Sequence, residues 1–189
     1  HTHSTEAGII GRFAAALAEV PNIVHTVHGI PFSDDRNYVL NRFVLACERT
    51  AAMHTDRIAT NADIIAEYYL DRNIGVPDQY STIHSGIDID SFCDAIPAEG
   101  LPGNLPRVVM IGRLVDGKGF NLLIDAVDSI DVNLSVCLVG EGPLYESLET
   151  EIAERGLSDT VFMMGYRDDI PQILAASDVL VLPSFREGT

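Results

Sequence analysis

Apolar side chains along this chain recur with two alternating periods, about 3.6 and about 2 residues. Ser4 stands as an N-cap ahead of Ile9, Ile10, Phe13 and Leu17, which share one helical face, and Pro21 ends that helix. The run 23–27 then reads as a short strand, with His28-Gly29-Ile30-Pro31 as its exit loop. The alternation continues with a helix over 38–53, a strand over 57–60, a helix over 62–72 and a strand around 82–84. Pro97, Gly100, Pro102, Gly103 and Pro106 interrupt it, and this composition predicts a linker over 93–106. Beyond it the pattern restarts: strands at 107–111, 134–139, 160–163 and 179–182, with helices near 119–130, 144–155 and 170–176 between them. Strand and helix in strict alternation imply an α/β fold with two doubly wound, Rossmann-like parallel sheets, residues 1–92 and 107–189, on either side of the linker.

Composition narrows the partners. The 189 residues carry 28 acidic and 12 basic side chains, a net charge of −16, so a nucleic-acid polyanion is repelled over most of the surface. Acidic surplus with a single lysine resembles adaptation to high salt, where screening over roughly 3 Å at 1 M leaves a small anion free to approach. Cys47, Cys93 and Cys137 are odd in number and widely spaced, which supports neither a disulfide framework nor a zinc cluster and points to a reducing, cytoplasmic setting. No apolar run approaches the length of a membrane span. A chain that opens on His1 and stops just after a strand reads as a piece of a longer protein, cut at both ends.

Chemistry is concentrated where strands exit into loops, because open parallel sheets bind ligands at their carboxyl edges. The only lysine, Lys118, lies in Gly112-Arg113-Leu114-Val115-Asp116-Gly117-Lys118-Gly119, directly after the strand 107–111. Two cations converging in a glycine-flanked turn before a helix suit a phosphate, although two solvated loop cations would give the same pattern. Gly119 stands where a P-loop needs serine or threonine, so a P-loop hydrolase is disfavoured. The histidines His1, His3, His25, His28, His54 and His84 lack the spacing of a metal set, and none is assigned to a metal. His28 alone reads equally as a loop-bonded residue or a functional one. Glu141, between two glycines, reads as a turn residue.

In order and spacing, Ser85-Gly86-Ile87-Asp88, Gly112-Arg113 with Lys118-Gly119, Gly140-Glu141-Gly142-Pro143 and Pro183-Ser184-Phe185-Arg186-Glu187-Gly188 resemble retaining glycosyltransferase family 4, whose fold is the two-lobed GT-B type. The resemblance covers nearly the whole chain. It implies that 1–92 form the later part of an acceptor-side lobe and 107–189 the earlier part of a nucleotide-sugar donor lobe. Arg113 and Lys118, with Gly112, then bind the donor diphosphate, and Glu187 matches the first glutamate of the family's E-x7-E motif, which faces the donor sugar. His28 matches the family's first-lobe histidine at the transferred sugar. Gly165, Tyr166 and Arg167 follow as weaker nucleobase-side candidates. Ser85 replaces a frequent asparagine, and Gly117 a frequent acidic residue.

The activity so implied is transfer of a hexose-type sugar from a nucleoside-diphosphate sugar to an acceptor hydroxyl with retention, in cell-surface polysaccharide or glycolipid synthesis. No cofactor or metal is implied, because Arg113 and Lys118 would neutralise the leaving diphosphate themselves. The partners are the donor and a glycan or lipid-linked acceptor, met in the cytoplasm or at the inner face of the membrane. Two other readings stay open: a GT-B-fold sugar-nucleotide epimerase, which needs no acceptor, and a non-catalytic nucleotide-sugar binding module. With the second glutamate of the motif falling beyond Thr189, this piece alone is expected to be inactive.

Overall fold

The computed structural model describes residues 1–30, 32, 37–103 and 106–185. Two compact units divide the chain, the first ending at Gly86 and the second beginning at Ile87, and each is built on its own four-stranded, wholly parallel sheet. The first unit runs β1 (Thr2–His3), α1 (Thr5–Leu17), β2 (Val24–Val27), α2 (Tyr38–Ala52), β3 (Arg57–Thr60), α3 (Asp63–Leu70) and β4 (Tyr80–Thr82), with strand order β1-β2-β3-β4. In the second come α4 (Ile89–Cys93), β5 (Arg107–Ile111), α5 (Phe120–Ser129), β6 (Ser135–Val139), α6 (Tyr145–Glu154), β7 (Val161–Gly165), α7 (Ile170–Ala175) and β8 (Val179–Leu180), ordered β7-β6-β5-β8.

The second sheet shows why an alternating sequence makes this architecture. Met110, Val136 and Leu138 point to one face and bury against Phe120, Ile124 and Leu148 from α5 and α6. Val109, Cys137 and Val139 point to the other and meet Ile173 of α7. Both faces are therefore covered, and β6 is buried at every position, as expected of a central parallel strand. Residues of the segment read as a linker join this second core: Ala98 and Leu101 pack against the Val109 face, and the Ala98 N–H donates to the Gln172 carbonyl at 2.9 Å. Proline and glycine there exclude regular dihedrals without preventing burial.

In the first unit, α1 presents a different face from the one its apolar spacing predicts. Ile10 and Leu17 are 71% and 87% exposed, whereas Gly8 and Arg12 are buried. The His25 ring of β2 sits against Gly8 so closely that a Cβ there would lie 2.3 Å from its Cε1. One turn on, Arg12 reaches Glu48 of α2 at 2.6 Å, both side chains fully buried. Rotation of the helix is thus set by a ring and an ion pair rather than by its largest apolar residues. Ser4 occupies the N-cap position but makes no side-chain capping bond. β1 was not expected from sequence, since two residues carry no periodicity. β4 begins at Tyr80 rather than 82 because Gln79, which donates to the Ala52 and Thr55 carbonyls at 3.0 and 2.5 Å, anchors the chain immediately before it.

Burial, reinforced by the Arg12 charge, pushes the His25 imidazole down from 6.5 to about 3. The unfolded chain therefore takes up this proton below about pH 6.5 while the folded chain does not until about pH 3. The associated stability is complete above the upper value and is lost as pH falls through this window. Glu48, raised by burial against the opposing charge of Arg12, works in the other direction: its stability contribution falls as pH rises through its unfolded value. The expected result is a urea midpoint that drops between about pH 7 and about pH 5, with a smaller drop in a His25→Gln variant. Equal drops in the two proteins would show that His25 does not carry the effect.

Candidate nucleotide-sugar site

Because β7, β6 and β5 are neighbours, their three exit loops gather at one end of the second sheet. Backbone bonds tie them together. The Gly112 N–H donates to Val139 O at 3.0 Å, Leu114 N–H to Glu141 O at 2.9 Å, and Gly140 N–H to Gly165 O at 2.8 Å. Gly140 holds φ at +143°, and a Cβ on it would fall 1.9 Å from the Gly112 carbonyl oxygen. Only glycine lets these two loops approach so closely. Gly140→Ala is expected to cost about 1–3 kcal/mol in backbone strain and to weaken nucleoside-diphosphate binding by part of that energy. Calorimetry on a variant shown to be folded measures it, and wild-type affinity would exclude the glycine from the site.

The loops enclose a cleft of about 500 Å³. Its floor is apolar, from Ile111, Val139 and Ile170, and its rim carries Arg113, Glu141, Tyr166, Arg167 and Asp168. Of the residues singled out from sequence, Gly112, Arg113, Tyr166 and Arg167 meet in this one cleft, with Arg113 and Tyr166 exposed. Gly165 lies on the wall of an adjoining cavity of about 420 Å³, shared with Glu141, Gly142 and Tyr145. The Arg167 guanidinium is held in a bidentate pair with Asp169, at 2.7 and 2.5 Å, which cancels much of its field toward a ligand. That pairing holds the Asp169 carboxyl below the usual carboxylate range.

Lys118 lies at the far end of the Arg113 loop and is half-buried, outside the cleft wall. Its turn is clasped by the chain that follows β8: Phe185 N–H donates to Gly117 O at 2.9 Å and the Ser184 hydroxyl to Lys118 O at 3.3 Å. Gly119, left-handed at φ +84°, then opens α5. Glu187 lies outside the described residues. In the first unit, His28 stands exposed just beyond β2, and its Nε2 is 2.9 Å from Nδ1 of His3.

Three residues of these sites were missed or undervalued in the sequence. Glu141 and Asp168 line the cleft, and Gly-Glu-Gly-Pro directly after β6 was the legible signal for the first; Asp168 had none. His3 approaches His28 only because β1 pairs with β2, and a two-residue strand leaves no pattern to read. Among the described residues no group of three or more His, Cys, Asp or Glu side chains could hold a metal ion, and no helix is long and apolar enough to cross a membrane.

Comparison with known proteins bears on both halves of the chain. Residues 94–189 match the family described as Glycosyl transferases group 1, and residues 1–91 match Glycosyltransferase Family 4. The Escherichia coli UDP-Gal:alpha-D-GlcNAc-diphosphoundecaprenol alpha-1,3-galactosyltransferase is 36% identical over 206 residues, covering 100% of this chain and 52% of that protein. A 2-deoxystreptamine glucosyltransferase of Streptomyces kanamyceticus is 30% identical over 95% of this chain and 51% of that protein. The chain thus spans about half the length of these two relatives. Among solved structures, Anabaena HepE in complex with UDP and glucose superposes with a TM-score of 0.77 over 96% of this chain and 51% of that one, at 22% identity. WaaG, a glycosyltransferase involved in lipopolysaccharide biosynthesis, gives 0.72 over 95% of this chain and 57% of that one, at 16% identity. At those identities the likeness is one of fold, the two-lobed glycosyltransferase fold that the sequence resemblance implied.

Proposed function

This chain belongs to the glycosyl transferases group 1 family, and from that premise we propose that the whole protein moves a hexose-type sugar from a nucleoside-diphosphate sugar to an acceptor hydroxyl, with retention, during synthesis of a cell-surface polysaccharide or glycolipid. The observation that carries the reading is the Arg113 to Lys118 loop at the carboxyl edge of the second sheet, beside a cleft of the size expected for a nucleotide-sized ligand. Arg113 and Lys118 neutralise the diphosphate as the glycosidic bond breaks, so charge that develops on the leaving group meets fixed cations without a metal ion. Tyr166 and the apolar floor take the nucleobase side. Glu187 orients sugar hydroxyls, and His28 is assigned to the transferred sugar. The departing phosphate takes the acceptor proton, which leaves the protein no general base to supply.

A lipid-linked glycan is the acceptor class favoured by the Escherichia coli relative, whose name specifies a diphosphoundecaprenol-linked sugar. Such an acceptor supports work at a membrane surface, and the cytoplasmic face is the side assigned here. The test is a radiolabelled-donor assay on the full-length protein with a panel of nucleotide sugars and a lipid extract, followed by linkage analysis. Transfer with the donor's anomeric configuration kept is the expected result. An isomerised donor formed without acceptor would mark an epimerase, and donor binding without turnover would mark a binding module.

A further inference from the structure

Residues paired in register along parallel strands share a face, so the pairing of Thr2 with His25 and of His3 with Thr26 sorts the histidines of this edge into two groups. Thr2 and His25 point one way, where the Thr2 hydroxyl meets His25 Nδ1 at 3.0 Å and the ring is buried against α1. His1, His3 and Thr26 point the other way, and His28, two residues beyond Thr26, joins them. On that side His1 Nε2 lies 2.7 Å from the Thr26 hydroxyl. The His3 and His28 rings lie edge to edge and nearly coplanar, with centroids 5.2 Å apart, planes inclined by 16°, and His3 Nδ1 2.9 Å from His28 Nε2. Two imidazole nitrogens at this distance hold one hydrogen bond between the rings, in which one donates and the other accepts.

We propose that His3 is a positioning residue for His28: it accepts a hydrogen bond from His28 Nε2–H at its own Nδ1, and so presents His28 Nδ1, unprotonated, as an acceptor for a hydroxyl of the transferred sugar. This rests on the assignment of His28 to the sugar in the proposed function. A neutral imidazole has one donor and one acceptor nitrogen, so committing Nε2–H to His3 determines what His28 offers a ligand. Both rings then carry their proton on Nε2. Without His3 the ring can turn or change tautomer, and a hydroxyl that needs an acceptor meets a donor in part of the population. The loss falls on orientation at the reacting sugar, while the diphosphate grip of Arg113 and Lys118 is untouched.

The experiment uses the full-length protein and four variants, His3→Ala, His3→Phe, His3→Gln and His28→Ala. His3→Phe keeps an aromatic ring but no acceptor, whereas His3→Gln restores an acceptor oxygen without the ring. The expected pattern is a kcat lowered about tenfold or more in His3→Ala and His3→Phe, a donor KM within about twofold of wild type, an unchanged melting temperature, and most of kcat recovered in His3→Gln. Nitrogen-15 imidazole spectra add a readout independent of turnover: His28 is expected as the Nε2–H form in wild type and as a mixture in His3→Ala. Wild-type kcat in His3→Phe, or a His28 tautomer that ignores the loss of His3, would overturn the proposal. Full activity in His28→Ala would instead remove the sugar assignment. If the wild-type protein transfers no sugar at all, the functional reading fails, and the spectra still decide whether His3 sets the His28 tautomer.

Discussion

Lys118→Ala in the full-length protein is expected to abolish most sugar transfer and to weaken nucleoside-diphosphate binding by about 1.5–3 kcal/mol, the range for a charge-assisted hydrogen bond to an anion. The argument begins with scarcity. A chain with 28 acidic side chains and a single lysine has little positive potential to draw on, so loss of one cation at the site is not compensated by its neighbours. Among the described residues, Arg167, which lines the cleft with Arg113, is already committed to Asp169. At about 4 Å and an effective dielectric near 20, each cation to phosphate contact has a Coulomb energy of about 4 kcal/mol before desolvation, which is why only part of it appears in binding. Placement matters as much as charge, since the Lys118 turn is held by Ser184 and Phe185 and its backbone is not free to drift. Lys118→Arg is accordingly expected to recover only part of the activity, because a planar fork does not reproduce an ammonium on a clasped turn. Arg113→Ala should behave like Lys118→Ala, and the double variant should lose less than the sum if the two act on one diphosphate. Isothermal calorimetry with a nucleoside diphosphate decides the matter, and an unaltered affinity in Lys118→Ala would remove this loop from the donor site.

The largest effect on stability is expected from Glu48→Ala, about 3–5 kcal/mol, a large share of the roughly 5–15 kcal/mol that holds an ordinary domain folded. Arg12 is fully buried and spends one Nη on Glu48 at 2.6 Å and its Nε on the Gly8 carbonyl at 3.0 Å. Its other Nη, like the second oxygen of Glu48, has no hydrogen-bond partner. Truncating Glu48 leaves a guanidinium in the core with a single acceptor, and desolvation of that charge is then uncompensated. The double replacement Arg12→Met with Glu48→Leu should restore most of the lost stability or exceed wild type, because it removes two desolvation costs and two unsatisfied atoms at similar volume. Urea denaturation of the wild type and the two variants tests this. A Glu48→Ala midpoint close to wild type would mean that water reaches the pair.

The glycine-rich exit loops were legible because their chemistry is local. A backbone that must approach another loop closely needs glycine at that position, and Gly119 and Gly140 each declare it, before a helix and directly after a strand. Arg113 was legible for the same reason, as a cation inside such a loop. The helical stripe on α1 misled for the opposite reason: Ile10 and Leu17 record apolarity, while burial of that helix was decided by partners elsewhere. Arg12 finds Glu48 36 residues later in the chain, and nothing in the spacing around Arg12 marks it as an interior residue.

By itself the sequence determined the order of strands and helices apart from β1 and α4, the two parallel sheets, the loops that carry ligand chemistry and the family to which they correspond. Each of these depends on residues within one element or one turn, where period, capping and glycine speak directly. Tertiary structure alone decided the rotation of α1, the docking of 98–101 onto the second sheet, and the meeting of His3 with His28. Those depend on pairs far apart in the chain, brought together by strand register and by burial of charge against charge. A contact of that kind has an energy only once both partners are in place, so neither partner's neighbourhood in the sequence records it.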